Sequence, residues 1–344
     1  MSSNDAPAAA PEAASSKPAH ILPAEHWAKQ KVEEENDSDV SSSTASISES
    51  IFDYRSIHGR SFHSNKSTDA QYWTPNDNKQ IEAGEIIHHL ITLIRDDKLH
   101  WAPLKKDIKT VLDVGTGSGI WAIDFADQNP DANVIGTDIS PTQPAWVPPN
   151  LKFEIEDATL PWTFPADHFD FIHMRYLFGS IPDWNGLLAQ AYKATKPGGW
   201  VESYEASCVF RSDDGTLVEG SPMDQWGKVF VEAGKKFGRP FDVVGEGLVP
   251  EAFKAAGFVN IQTKDVKCPM NSWARDKKLQ EIGAYALAAV DQDIEGWILF
   301  IWSQVMGWEK SEIEAFVVHL RRQLRDRKVH AYCLMRGVWG QKPE

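Results

Sequence analysis

Apolar and polar positions along this chain follow two periods, and the switches between them outline an α/β fold. Short apolar or alternating runs at 111–114, 133–137, 151–156, 169–174, 200–206, 258–266 and 329–339 read as strands. Helical spacing fills the intervals: Trp184, Leu187, Leu188, Ala191 and Tyr192 share one face, and Met223, Trp226, Phe230, Ala233 and Phe237 share another. Ser221 followed by Pro222 predicts a helix start, Gly238 and Gly257 predict stops, and Ser311 with Glu314 predicts a capping box. Three helices are expected within 276–326, ahead of the last strand, where they would lie over the carboxyl edge of the sheet as a lid. Upstream, Ile81, Ile86, Leu90 and Leu93 predict a helix within 76–96, so 51–106 reads as a helical N-terminal cover and 107–344 as the main domain. His88 and His89 are adjacent and point to different sides of that helix, which predicts one core or surface histidine each.

Residues 1–50 fit neither period. They are rich in Ala, Ser, Pro and Glu, with an acidic run at 33–39 and a serine cluster at 41–50, a composition that buries too little apolar surface to offset chain entropy. A disordered, solvated acidic arm is expected there.

Charge and composition narrow the function. The net charge of −14 argues against nucleic acid as the main partner, since a binder must neutralise phosphates with Lys and Arg. Cys208, Cys268 and Cys333 are odd in number and far apart, so neither a disulfide framework nor a metal cluster is suggested. The longest apolar run, 297–308, holds 12 residues with Ser303 and Gln304 inside, short of the ~20 that cross a bilayer. A soluble protein of the cytoplasm, the nucleus or both is expected.

The chemistry gathers at 110–126. The strand ends in Asp113-Val114, a turn carries Gly115, Thr116, Gly117 and Gly119, and a helix follows. Glycines let the backbone turn sharply and let a ligand approach the main chain, and the helix start offers unpaired N–H groups. A dinucleotide fingerprint spaces its glycines Gly-x-Gly-x-x-Gly; here the third comes one residue early, with Ile120 in its place. Asp113, a carboxylate beside that loop, repels pyrophosphate and suits a cationic ligand. Asp138, 19 residues past Gly119 and followed by Ile139, ends the second strand where an acid reaches ribose hydroxyls. Asp157 and Ala158 end the third strand, where an Asp commonly forms a turn. His173, Arg175 and Tyr176 end the fourth, where open α/β sheets keep reacting groups, and Glu202 and Glu205 face opposite ways on the fifth.

Asp-x-Gly-x-Gly-x-Gly resembles motif I of class I S-adenosylmethionine (SAM) methyltransferases. Together with 134–147, 169–184 and the Lys196-Pro-Gly-Gly turn, the wording of 54–341 resembles the fungal LaeA-like methyltransferases. That resemblance implies a Rossmann-like fold with a seven-stranded, mostly parallel sheet and helices on both faces. It implies SAM as cofactor, with Asp113, Gly115, Thr116, Gly117 and Gly119 at motif I, Asp138 and Ile139 at the ribose, Asp157 and Ala158 at the adenine and His173 close by. It also implies a methyl acceptor, small molecule or protein, and for some members a regulatory protein partner of the velvet type. Methyl transfer from a sulfonium is an in-line displacement, so alignment supplies much of the rate and a base is needed only where the acceptor must lose a proton. His173, Arg175 and Tyr176 are the candidates beside the transferred methyl. Two other readings stand: an NAD(P)-dependent oxidoreductase, weakened by Ile120, and a regulatory subunit that keeps the fold and acts through partners.

Overall fold

The computed structural model describes residues 21–28, 52–64 and 72–344. The described residues begin with a helical turn α1 (Glu25–Ala28), a hairpin of β1 (Arg55–Ile57) and β2 (Arg60–Phe62), and helix α2 (Asn78–Ile94). The main sheet then builds through β3 (Thr110–Val114), α3 (Ile120–Gln128), β4 (Asn133–Asp138), β5 (Leu151–Ile155), β6 (Phe169–Arg175), α4 (Trp184–Ala194) and β7 (Thr195–Arg211). Helices α5 (Pro222–Phe237) and α6 (Leu248–Ala256) precede β8 (Val259–Pro269). The lid is α7 (Lys277–Gln292), α8 (Ile294–Phe300) running into a π-helical stretch (Ile301–Val305), and α9 (Lys310–Arg325); β9 (Tyr332–Gln341) closes the chain.

The seven strands are ordered β5-β4-β3-β6-β7-β9-β8, parallel except where β9 pairs antiparallel with β7 and β8. Side chains alternate across the sheet. Val111 and Phe171 pack with Trp121 and Phe125 of α3 on one face, whereas Leu112, Ile172 and Met174 join Leu187 and Leu188 of α4 on the other. Chain order reverses between β3 and β6, and such a switch point opens a crevice at the carboxyl ends of the strands.

Four expectations change. The cover at 51–106 is not wholly helical, because His58 and Gly59, both at positive φ (50° and 85°), make the tight turn of the β1–β2 hairpin. Within 1–50, residues 21–28 are docked, not free: Trp27 is 2% exposed with its ring edge-on to Phe316 of α9 at 5.0 Å, and the Leu22 N–H donates to Gln225 Oε1 at 2.7 Å. One large aromatic is enough to seat this stretch. The acidic run and the serine cluster lie outside the described residues. The last capping box sits two residues earlier than expected, on Glu309 and Glu312, because α9 already begins at Lys310. At α5 the Ser221 hydroxyl caps nothing, while Asp224 reaches back to the Gly220 N–H at 2.8 Å.

The cover and lid are fastened at one guanidinium. Arg60 donates to Asp77 Oδ2 at 2.6 Å and to Asp293 Oδ2 at 2.7 Å, the N-cap residues of α2 and α8, and Asp293 is fully buried. A second buried pair, Arg95 with Glu202 at 2.9 Å, ties the end of α2 to β7, and Glu202 also accepts from the N–H groups of Trp101 and Ala102 at 2.7 Å each. Glu202 is thus structural. Among the described residues no helix is long and apolar enough to cross a membrane.

Candidate functional site

A cleft of about 210 Å³ opens over the switch point. Its floor is the loop of Gly115, Thr116 and Gly117 with the strand ends Asp138, Ile139, Asp157 and Ala158, and its far wall is Arg175 and Tyr176. Residues 72–76, one side of α2 and Trp297 of the lid form the roof.

Each floor residue is there for a local reason. Gly117 sits at φ +59°, and an added Cβ would meet nothing within 4 Å, so its free side is the cleft. Gly119, at φ +82°, closes against the Phe153 ring, where a Cβ would come within 2.3 Å. The loop is therefore tight beneath and open above. Asp138 accepts from the Gly117 N–H at 2.8 Å and the Ser140 N–H at 3.0 Å, and burial pushes its carboxyl up to about 6. A carboxylate offers about four acceptor positions, so two bonds leave capacity toward the cleft. Asp157 makes the expected turn, taking the Thr159 N–H at 2.9 Å, and lines the cleft as well.

Asp113 and His173 lie elsewhere. They are registered neighbours on β3 and β6, 2% and 0% exposed, and neither lines the cleft. Asp113 Oδ2 accepts from the Thr116 hydroxyl at 2.6 Å and Oδ1 is 2.8 Å from His173 Nδ1. Since a carboxylate can only accept, Nδ1 carries the proton. The imidazole lies flat on Trp121, centroids 3.7 Å apart and 5° between planes. Burial holds the imidazole pKa well below its usual value and pushes the Asp113 carboxyl up to about 6. His173, expected beside the cofactor and the transferred methyl, is closed to the cleft in this geometry and braces the glycine loop from below through Asp113 and Thr116. The sequence placed it by strand position, but alternation on β6 turns it under the loop.

Arg175 and Tyr176 do reach the cleft. Arg175 Nη1 donates to His88 Nδ1 at 3.0 Å, while His88 Nε2 donates to Asp124 Oδ2 at 2.8 Å. Burial and the Arg175 charge hold the His88 pKa down at about 4, so it is a neutral acceptor that fixes the guanidinium. Burial also lowers the Arg175 pKa to about 10, still cationic at neutral pH. Tyr176 adopts φ +55°, uncommon for a bulky residue, and burial raises its phenol well above its usual value. It is a donor at neutral pH, not a base. Glu205 accepts from the Phe178 N–H at 3.0 Å and steadies the loop after β6; burial pushes its carboxyl up to about 8.

A cover and a lid were expected over the site, but not the side chains they bring to it. His88, Trp73 and Trp297 belong to segments whose helical or aromatic pattern says only core or surface. One signal was present: Gly84 inside α2 lines the cleft, and a Cβ there would meet nothing within 4 Å. An interior helix glycine is costly unless something must come close.

Comparison with known proteins places this arrangement. A methyltransferase domain family matches residues 86–263. The methyltransferase pytC of Aspergillus terreus is 35% identical over 306 residues, 89% of this chain and 93% of its own length. The probable methyltransferase tdiE of Emericella nidulans is 36% identical over 78% of this chain and 84% of its own. The secondary metabolism regulator LAE1 of Cochliobolus heterostrophus is 34% identical over 76% and 86%. Identity at this level over most of the chain, on a sheet of this topology, makes the protein a member of the LaeA-like class I methyltransferases, enzymes that take their methyl group from S-adenosylmethionine.

Proposed function

We infer that the cleft over β3, β4 and β6 holds SAM and that the acceptor is a small molecule of secondary metabolism. The observation that carries the reading is the covered cleft running from Asp138 past Arg175 to Tyr176, roofed by 72–76, α2 and Trp297. A site closed on that side admits a free molecule more readily than a residue on a folded protein surface.

The residues present fit the cofactor. Asp138 has acceptor positions left for ribose hydroxyls, Gly117 leaves its free side open, and Arg175 offers a guanidinium held by a neutral histidine, which suits the carboxylate of the amino-acid end. Asp113 supports this floor through the Thr116 hydroxyl without touching the ligand. Bound SAM supplies a methyl group on a cationic sulfur. The chain then holds the two reactants in line, keeps water out under the roof, and offers the Tyr176 hydroxyl as a neutral donor beside the acceptor. Asp157 and Ala158 border the adenine end.

Action through a protein partner is the second reading, supported by the likeness to LAE1, a secondary metabolism regulator. A labelled-methyl assay separates the two. Full-length protein is incubated with methyl-labelled SAM and extract of the producing cells, and label is counted in solvent-extractable and protein fractions. Label in the extractable fraction, reduced at least about tenfold by Arg175→Gln, is expected, about 1.4 kcal/mol of lost interaction. Label confined to protein, or absent with the cofactor bound, favours the partner reading.

A further inference from the structure

Next to the cleft lies a second cavity of about 90 Å³, and the two share Trp73, Ile87, Tyr176 and Trp297 as a common wall. It sits between the sheet and the lid. The space exists because Ala206 on β7 and Ala286 and Ala289 on α7 are small residues among large aromatics, Phe210, Trp226 and Phe230. Among the described residues no charged side chain lines it. Its three cysteines, one from each of β7, β8 and β9, are free, and burial pushes their thiols upward, so they stay neutral.

The common wall ties the chamber to the cleft: Trp73 is only 3% exposed and its ring packs on that of Trp297, centroids 5.8 Å apart. Tyr176 stands between the two cavities with its backbone at φ +55°, a strained conformation kept where surrounding structure enforces it.

We propose that this chamber seats the uncharged apolar arm of the methyl acceptor, a single ring or a branched alkyl group of prenyl size. The proposal rests on the reading that the neighbouring cleft holds SAM. Size sets the arm: a dry cavity of about 150 Å³ takes benzene, so one of about 90 Å³ takes a small ring with slight give or an aliphatic branch. Charge sets the class. A lysine or arginine side chain would bring a cation to a wall with no carboxylate, at the cost of its hydration. The acceptor is thereby an apolar metabolite and not a basic protein side chain.

The test uses full-length protein saturated with S-adenosylhomocysteine, with acetophenone as probe and toluene and benzylamine as controls, followed by ligand-observed NMR and tryptophan fluorescence. Acetophenone should bind together with S-adenosylhomocysteine, and benzylamine at least about tenfold more weakly. Ala289→Leu, which fills the chamber, should weaken acetophenone and toluene by about tenfold or more while affinity for S-adenosylhomocysteine stays as in wild type, which also certifies the fold. The proposal is overturned if acetophenone competes with S-adenosylhomocysteine, if Ala289→Leu binds both probes like wild type, or if benzylamine binds as well as acetophenone. Failure of S-adenosylhomocysteine itself to bind overturns the reading of the cleft.

Discussion

His173 is held on two sides, by a carboxylate at 2.8 Å and an indole ring at 3.7 Å, and it is closed to solvent. His173→Ala should therefore act on stability, costing about 2–3 kcal/mol in a denaturant titration, with turnover per folded molecule close to wild type. Full stability with turnover abolished would return it to the chemistry. Asp138, proposed as the acid at the ribose, gives a pH dependence. Burial raises the Asp138 carboxyl from 3.8 to about 6, so in the free chain this group contributes stability that is present below about pH 4 and is lost as pH rises through 6. Ribose hydroxyls donate to the ionised form, so affinity for S-adenosylhomocysteine should run the other way, falling up to about tenfold per unit below pH 6. Calorimetry at pH 5 and 7.5, with Asp138→Asn as control, checks this; a slope surviving in Asp138→Asn places the titration on Asp113. Residue types and strand ends were readable here: Gly117, Asp138, Asp157, Arg175 and Tyr176 all border the cleft. Which way β6 turns His173 was not, because facing depends on register with β3.

Elements carry the next level of constraint. Period-2 runs located the sheet because buried parallel strands have little freedom in composition, and the helix faces at 184–194 and 223–237 followed from 3.6-residue spacing. The β1–β2 hairpin escaped because its strands are three residues each, too short for a period, and depend on the turn at His58-Gly59. Its importance is tertiary. Among the described residues Arg60 is the one cation that bridges the capping carboxylates of α2 and α8, and without it Asp293 is a fully buried carboxylate left with the Gly296 N–H of its own turn. Breaking a buried pair from one side costs about 3–5 kcal/mol, so Arg60→Ala should lower the unfolding midpoint sharply, and Arg60→Ala with Asp293→Asn should recover part of the loss. An unchanged midpoint in Arg60→Ala would mean that the lid is held by its apolar contacts alone.

At the scale of the whole molecule, topology explains where the site is and why the sequence pointed to it. Chain reversal between β3 and β6 fixes a crevice at the strand ends, and every acid and glycine picked out by spacing lies at one of those ends. The roof was legible only as extra helices, since contacts between α2, Trp73 and Trp297 join residues more than 200 positions apart. Docking of Trp27 on α9 was hidden for the same reason: a lone tryptophan in a polar arm has no period. The central claim is that this cleft binds a sulfonium nucleoside through Asp138 and the Gly115–Gly119 loop, and calorimetry on full-length protein tests it most directly. Wild type should bind SAM and S-adenosylhomocysteine in the low-micromolar range, roughly −8 kcal/mol, and leave NADP unbound. Asp138→Ala should weaken both by about tenfold or more while remaining folded, since it removes a charged acceptor worth about 1.5–3 kcal/mol per hydrogen bond. Tight NADP binding with no heat from SAM, or wild-type affinity in Asp138→Ala, would contradict the account.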